Sequence, residues 1–142
     1  MTSPTYLLHL SGDSAGKPGT NTWTISSDIR LKEDIVAADL DLCYDKIKQL
    51  PLKYDKWKED VYTNDEVKDR HRVGWVAQDV QKVFNKAVDV VDMHGYSDCL
   101  TLNTNLIYAN MFGAIQKLMK TVEDQEVRIS DLENKLSSKV YD

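Results

Sequence analysis

The residues of this sequence best suited to covalent chemistry are a serine and a lysine five positions apart, Ser27 and Lys32. A serine hydroxyl is a poor nucleophile unless a neighbouring base takes its proton, and lysine can be that base only when it is neutral. The lysine pKa must then fall several units from about 10.4, through burial or through nearby positive charge. Arg30, which lies between the two residues, is a source of such charge. We therefore treat the pair as a candidate Ser–Lys dyad.

The spacing restricts the backbone that could join these two side chains. Five residues of an α-helix turn by about 500°, which leaves the side chains about 140° apart. A working dyad therefore needs a turn or a bent strand over residues 27–32, or a meeting across a subunit boundary. The alternative interpretation of the spacing is ordinary: a serine or aspartate that caps a helix, followed by a solvated lysine.

The bond that Ser27 could attack follows from ring size. Attack of its hydroxyl on the carbonyl of Ser26 passes through a five-membered ring, whereas attack on its own carbonyl needs a strained four-membered ring. The Ser26–Ser27 bond is therefore the predicted cleavage site within one chain. Delivery from a neighbouring subunit would escape this restriction.

Two segments flank the candidate dyad. Residues 1–26 contain two short strand patterns, Thr5–Leu10 and Thr22–Ile25, around a run of turn-forming residues. They bury too little to fold alone, so we predict that they end a longer β-rich shaft or stalk. After the dyad, apolar residues at helical spacing predict a helix from about Asp34 to Gln49, which Pro51 ends.

Residues 52–103 predict a small α+β unit. Strand patterns cover 52–57, 73–76, 88–92 and 99–102, a helical pattern covers 77–84, and His94-Gly95 marks a turn. The polar segment 58–72 is predicted to be a solvated loop. Together with the helices, this makes the fold class α+β and mainly helical.

Residues 104–139 carry the clearest pattern, a 3.5-residue repeat over about five heptads. We call the stripe of residues at this spacing the seam, and all of its members except Gln125 are largely apolar. They are Tyr108, Met111, Ile115, Leu118, Val122, Gln125, Ile129, Leu132 and Leu136, and the stripe ends near Lys139. Exposing such a stripe is unfavourable, since each buried Leu or Ile contributes roughly 1.5–3 kcal/mol. We expect a long helix in a parallel trimeric coiled coil, with Gln125 fixing register. Packing of this helix on its own domain is the alternative.

Composition argues against several other classes. Hydrophobic residues make up 42% of the chain, which is ordinary for a soluble protein. The net charge of −5 argues against nucleic acid as the main partner. No apolar run reaches about 18 residues and no secretory signal is visible, so no membrane partner is expected. Cys43 and Cys99 are predicted to be buried free thiols, and three scattered histidines predict no metal site. No cofactor and no small-molecule substrate are expected.

Three blocks resemble one protein family. Ser27-Asp-Ile-Arg-Leu-Lys-Glu-Asp-Ile35 is similar to the opening signature of the self-cleaving intramolecular chaperone domains that end phage endosialidase tailspikes, tail fibres and neck appendages. Gly74-Trp-Val-Ala-Gln-Asp-Val80 resembles the second block of these domains. The segment from Leu102 to Leu118 resembles their closing helix, and Leu52-Lys-Tyr54 sits where they often carry a strand. The resemblance covers roughly residues 24–120, and a related domain occurs in eukaryotic myelin regulatory factor.

The resemblance implies a function for the whole chain. Residues 27–142 would form an intramolecular chaperone that makes a homotrimer, helps the upstream shaft of its parent to fold, and then releases itself. It would be a serine endopeptidase that acts once, on itself, with Ser27 and Lys32 as catalytic residues and Asp28 and Arg30 in support. The domain would act in the host cytoplasm during assembly, and its parent would belong to the virion. The alternatives are a trimerisation module without catalysis and the processing domain of a membrane-tethered transcription factor.

Overall fold

The computed structural model of this chain describes Leu8, Leu10, Gly16, Pro18, Gly19 and residues 24–141. The described residues form an α+β fold with a long last helix, as predicted. In chain order its elements are a 3-10 turn Ile29–Leu31, α1 Leu40–Gln49, β1 Lys53–Lys56, β2 His71–Gly74, α2 Ala77–Val83, a 3-10 turn Asn85–Ala87, β3 Val88–Met93, β4 Tyr96–Leu102 and α3 Asn105–Val140. Most of the predicted strand 5–10 and the beginning of the strand 22–25 lie outside the described residues.

The chain divides into two compact units. One contains the described residues up to Ala37 together with Pro51–Asn103, and the other contains Ala38–Leu50 together with the described residues from Thr104 onward. The first unit therefore carries the candidate dyad and both sheets, and the second consists of α1 and α3. Among the described residues, no helix has both the length and the apolar character needed to cross a membrane.

In the first unit, strands β1 and β2 form an antiparallel pair that is tied to α2. Asp55 lies opposite Arg72 in the register, and Arg72 Nε donates to Asp55 Oδ1 at 2.6 Å. Lys53 Nζ reaches Asp79 Oδ2 on α2 at 2.6 Å. These contacts explain why a strand of only four residues keeps its place although most of its side chains are exposed.

The segment between β1 and β2 was predicted to be a solvated loop, and that prediction was incomplete. Arg70 organises it from within: its Nη2 donates to the Tyr62 carbonyl at 2.6 Å and to Asn64 Oδ1 at 2.8 Å, while its Nη1 donates to the Lys58 carbonyl at 3.2 Å. A guanidinium carries five N–H donors in a fixed plane, so one arginine side chain can bind acceptors at three positions along this segment. β2 begins at His71, two residues earlier than predicted.

The second sheet and α2 build the core of this unit. β3 and β4 pair antiparallel around His94 and Gly95, whose positive φ angles of 52° and 80° suit a two-residue hairpin turn. Val80, Ala87 and Phe84 are the most buried residues of this unit, at 0%, 0% and 2% exposure. Cys99 on β4 is free and only half-buried, so the prediction of a buried thiol was wrong at this position.

In the second unit, α1 begins later than the sequence pattern predicts. Asp34 has a positive φ of 53°, which breaks a helix, and the Asp39 side chain accepts a hydrogen bond from the Leu42 N–H at 3.0 Å as an N-cap. The helix therefore starts at Leu40, and Ile35 remains 60% exposed. Its end at Gln49, before an extended Leu50 and Pro51, agrees with the prediction.

Helices α1 and α3 pack closely around a glycine. A Cβ on Gly113 would lie 2.8 Å from Cys43 Sγ and 2.9 Å from Cys43 Cβ, which no ordinary contact allows. Cys43 is buried and free, as predicted. Lys117 Nζ pairs with Asp41 Oδ1 at 2.5 Å, which raises the pKa of Lys117. This packing holds the first three turns of α3, and from Leu118 to Tyr141 every residue except Thr121 is exposed to solvent.

Candidate active site

The candidate dyad lies on a short, sharply turned piece of backbone. Asp28 has extended backbone angles, residues Ile29–Leu31 form one 3-10 turn, and Lys32 is extended again. The Leu31 N–H donates to the Asp28 carbonyl at 3.0 Å and the Lys32 N–H donates to the Ile29 carbonyl at 3.2 Å. The chain therefore enters and leaves this turn in extended conformation, and no α-helix contains both dyad residues.

This turn brings Ser27 and Lys32 together. Lys32 Nζ donates a hydrogen bond to Ser27 Oγ at 2.7 Å. The spacing of the two residues predicted a turn, a bent strand or a meeting across subunits, and the structure contains a turn. In the charged form the ammonium donates to the hydroxyl, and once neutral the same nitrogen would be placed to accept the hydroxyl proton.

Asp28 and Arg30 form a closed pair on the same turn. The Arg30 N–H donates to Asp28 Oδ1 at 2.8 Å, and the Arg30 guanidinium binds both carboxylate oxygens, with Nε to Oδ1 at 2.9 Å and Nη2 to Oδ2 at 2.8 Å. The guanidinium holds the pKa of Asp28 below its ordinary value, and the carboxylate raises the pKa of Arg30. Arg30 is thus bound to a carboxylate, and this placement does not favour the expectation that it supplies free positive charge to Lys32.

The site is open to solvent in one chain. Ser27 and Lys32 are both exposed, and the 3-10 turn buries none of its residues. Its apolar side chains are also exposed, with Ile25 at 77%, Ile29 at 73% and Leu31 at 69%. The isolated chain therefore does not shield this site from water.

The seam of α3 is equally uncovered. Its apolar members lie on one continuous helix of 36 residues, with exposures from 37% at Met111 to 67% at Leu136. Gln125 is exposed as well. Two further apolar side chains next to the seam, Phe112 at 65% and Met119 at 59%, widen the stripe in its first half.

The sequence patterns did not predict a cluster of aromatic and charged side chains at the loop before β2. Arg72 lies over the Trp57 ring at 4.3 Å, Trp57 and Tyr62 meet edge to face at 5.0 Å, and Tyr62 contacts His94 with Oη and Nε2 3.0 Å apart. Burial is the main cause that raises the pKa of Tyr62. The only sequence signal was aromatic residues within a polar segment. In the described part of the chain, no group of three His, Cys, Asp or Glu is arranged to hold a metal ion.

Comparison with known proteins gives this geometry a context. A family model described as chaperone of endosialidase, which is named as a peptidase family, matches residues 27–89. The match begins at Ser27 and includes Lys32, the β1–β2 pair and α2, whereas α3 lies beyond it. It covers a little under half of the 142 residues and supports a chaperone role and a protease class. The segment 27–89, with the Ser27–Lys32 pair at its start, therefore resembles the chaperone-of-endosialidase family.

Proposed function

We propose that this chain is an intramolecular chaperone that trimerises, helps the upstream part of its parent chain to fold, and then cuts itself off at the Ser26–Ser27 bond. The observation that carries the proposal is the 2.7 Å hydrogen bond between Lys32 Nζ and Ser27 Oγ at the first residue of the matched segment. An exposed serine and lysine meet in this way by chance on some surfaces. Here they meet in a segment whose family is named as a peptidase.

The reaction follows from the geometry. Neutral Lys32 takes the proton from Ser27 Oγ, and the oxygen attacks the carbonyl carbon of Ser26 through a five-membered ring. When the resulting intermediate collapses, the carbon–nitrogen bond of the peptide breaks and the Ser27 nitrogen takes a proton from Lys32 as it leaves. The product is an ester between the Ser26 carbonyl and Ser27 Oγ. One water molecule then hydrolyses this ester to give a carboxyl group on Ser26 and a free hydroxyl and amine on Ser27.

Association supplies what the single chain lacks. Lys32 must lose its proton near neutral pH, and this requires a less solvated site than the exposed turn of one chain. Ile25, Ile29 and Leu31 lie within two residues of Ser27 or Lys32 in the chain, and their apolar side chains are 69–77% exposed. If neighbouring subunits cover these side chains, the dyad becomes buried in the same step. In this proposal, self-cleavage begins only after the subunits have assembled.

The seam of α3 supports self-association. A stripe of apolar side chains that are one-third to two-thirds exposed runs along most of the helix, and a helix of this kind is stabilised by burial against copies of itself. Arg128 immediately precedes the seam residue Ile129, and Glu133 immediately follows Leu132. In a parallel coiled coil in register, residues at these two flanking positions of neighbouring helices lie side by side with opposite charge. This charge pattern favours the parallel arrangement.

A trimeric domain that can be removed suits the folding of a long parent whose chains are intertwined. Bringing several chains into register costs entropy, and β-rich structures with many non-local contacts nucleate slowly. A coiled coil forms from local contacts and aligns the chains first. Once the domain is cut off, the parent can no longer unfold and refold with its help. Its folded state then persists because the activation barrier to unfolding is high. We place this event in the host cytoplasm during virion assembly, with the parent in a tail fibre or spike.

One experiment separates this proposal from a trimerisation module without catalysis. The purified chain should yield fragments of 26 and 116 residues on a denaturing gel, since 142 − 26 = 116. Ser27→Ala should abolish cutting. Lys32→Arg is the matched control for Lys32→Ala, because arginine keeps the positive charge but cannot serve as a base. Unchanged cutting in Ser27→Ala or in both Lys32 variants would exclude the dyad.

A further inference from the structure

We infer that α1 of each subunit is part of the trimer interface, where it packs against Phe112 and Met119 of α3 from a neighbouring copy of the chain. The inference rests on the proposed function, because it assigns a contact within the same trimer. It goes beyond the seam, since it gives a partner to two apolar side chains that lie at the border of the stripe.

Two rows of residues border the seam, one on each side. The leading row immediately precedes the first seam residue of each heptad, and its members are Ile107, Ala114, Thr121, Arg128 and Lys135. The trailing row immediately follows the second seam position of each heptad, and its members are Phe112, Met119, Glu126, Glu133 and Val140. In a parallel coiled coil in register, a leading residue of one helix lies beside the trailing residue five positions later in the neighbouring helix.

Within one chain, α1 packs against α3 over the turns that carry the first leading residues. Ile107 and Ala114 are 0% and 5% exposed, and Thr121 is half-buried. Cys43 of α1 lies so close to Gly113, which precedes Ala114 in the chain, that a Cβ on this glycine would be 2.8 Å from its Sγ. The leading side of α3 is therefore covered by α1 in the first half of the helix.

The trailing side of the same turns is apolar and uncovered. Phe112 and Met119 are 65% and 59% exposed, although both are large apolar side chains. Their expected neighbours in the trimer, five positions earlier on the adjacent helix, are Ile107 and Ala114. Because α1 packs against the turns that carry these two residues, a Phe112 or Met119 placed beside them also reaches α1 of that subunit.

Both rows change their chemistry at the same part of the helix. Beyond Thr121 the helix is exposed along its whole length, and the leading row continues with the charged Arg128. The trailing row changes there to Glu126 and Glu133, and Val140 at the last residue of α3 is the exception. Large apolar trailing residues thus face the turns that α1 covers, and acidic ones follow where α1 has ended. This match favours a second copy of the chain as the occupant, since only a copy supplies α1 in that register.

The test identifies what Phe112 contacts in the assembled protein. Phe112 is replaced by p-benzoylphenylalanine in the full chain carrying Ser27→Ala, and the sample is illuminated. A bond between two chains moves the product on a denaturing gel from one chain mass to two, and mass spectrometry of that band identifies the peptide bound to residue 112. The same replacement at Val127, which is 64% exposed and lies in neither row, is the control.

A cross-link from residue 112 to Leu40–Gln49 of another chain, with none to this segment from residue 127, supports the inference. A trimer in which residue 112 cross-links only to α3, only within its own chain, or only to another part of the protein contradicts the inference and leaves the proposed function in place. A chain that sediments as a monomer at all concentrations contradicts the proposed trimer, and this contact with it.

A second arm measures how much the contact strengthens the trimer. In the Ser27→Ala chain, Phe112→Ser should raise the concentration at which half of the trimer dissociates by about tenfold or more, because apolar area stays exposed in every subunit. Val127→Ser is the matched control, since the two side chains are 65% and 64% exposed in one chain, and it should change that concentration by less than about twofold. Equal effects of the two substitutions would overturn the inference.

Discussion

Lys32 Nζ reaches back across one 3-10 turn to Ser27 Oγ, 2.7 Å away, and both residues belong to the same chain. The alignment of the proposed nucleophile with the proposed base is therefore local and does not need a second subunit. What the single chain lacks is burial, since the whole turn is exposed. It follows that loss of the trimer should slow self-cleavage through the protonation state of Lys32, with the contact between the two residues retained.

The first prediction concerns the seam. Ile129→Asp should abolish the trimer and strongly slow self-cleavage, because each chain loses about 1.5–3 kcal/mol of apolar burial and places a charge in the contact. Val127→Asp is the matched control, since Val127 is similarly exposed, at 64% against 55%, but lies off the seam. In a Ser27→Ala background, which is predicted to keep the chain whole, sedimentation should give about three times 16.2 kDa with and without Val127→Asp. A parent chain that sediments as a monomer at all concentrations would refute the coiled coil.

The second prediction concerns orientation. Arg128→Glu should weaken the trimer, because it places like charges at the flanking positions where Arg128 and Glu133 of neighbouring helices are expected to meet. The expected cost is about 0.2–1 kcal/mol per contact, and it should shrink at high salt. The charge reversal Arg128→Glu with Glu133→Arg should recover the melting temperature. Equal melting temperatures in the single and the double variant would argue against the parallel register.

The third prediction concerns the contact between α1 and α3. Gly113→Ala should destabilise the fold by about 1–2 kcal/mol, since overpacking against Cys43 exceeds the gain of about 1 kcal/mol in helix propensity. Cys43 Cβ stands 2.9 Å from the new atom and cannot rotate away. Urea unfolding measures the change. In a Cys43→Gly background the same substitution should be stabilising, and an equal loss in both backgrounds would contradict the close packing.

The fourth prediction concerns pH and the link between β1 and α2. The Lys53 ammonium, 2.6 Å from Asp79 Oδ2, is the main cause that lowers the pKa of Asp79 from 3.8, with a smaller contribution from Lys82. A carboxyl whose pKa is lowered by folding stabilises the fold above its unfolded pKa, and this is lost as pH falls through the folded pKa. The melting temperature of the parent should therefore exceed that of Asp79→Asn at neutral pH, and the difference should close below about pH 3.8. A difference that persists in acid would rule out the ion pair as its source.

The sequence predicted the architecture well where one physical signal dominated. The heptad repeat predicted α3 to within one residue at each end, and Pro51 marked the end of α1. The hairpin turn followed from His94-Gly95, because glycine accepts the positive φ that the turn needs. Helical spacing failed at the start of α1. Ile35 fits the apolar period, but it lies between the positive φ of Asp34 and the N-cap at Asp39, and therefore before the helix. The spacing of apolar residues contains no sign of either feature.

The candidate site was predictable in part. Spacing alone excluded a shared α-helix for Ser27 and Lys32 and left a turn, a bent strand or a meeting across subunits, and the structure contains a turn. The direction of the Arg30 side chain was not predictable, because an arginine between a carboxylate and a lysine can face either way. The hydrogen bonds of Arg70 within its loop were equally unpredictable. Two of its three acceptors are backbone carbonyls, which every residue carries, so they do not show in the sequence.

The most direct measurement is the intact mass of the fragments that the purified chain produces, with N-terminal sequencing of the larger one. The account predicts a fragment that begins at Ser27 and ends at Asp142, formed by the parent chain and absent from Ser27→Ala. A first residue other than Ser27 would contradict the assigned bond. An uncut parent chain that sediments as a trimer would contradict the central claim that Ser27 and Lys32 form a self-cleaving dyad.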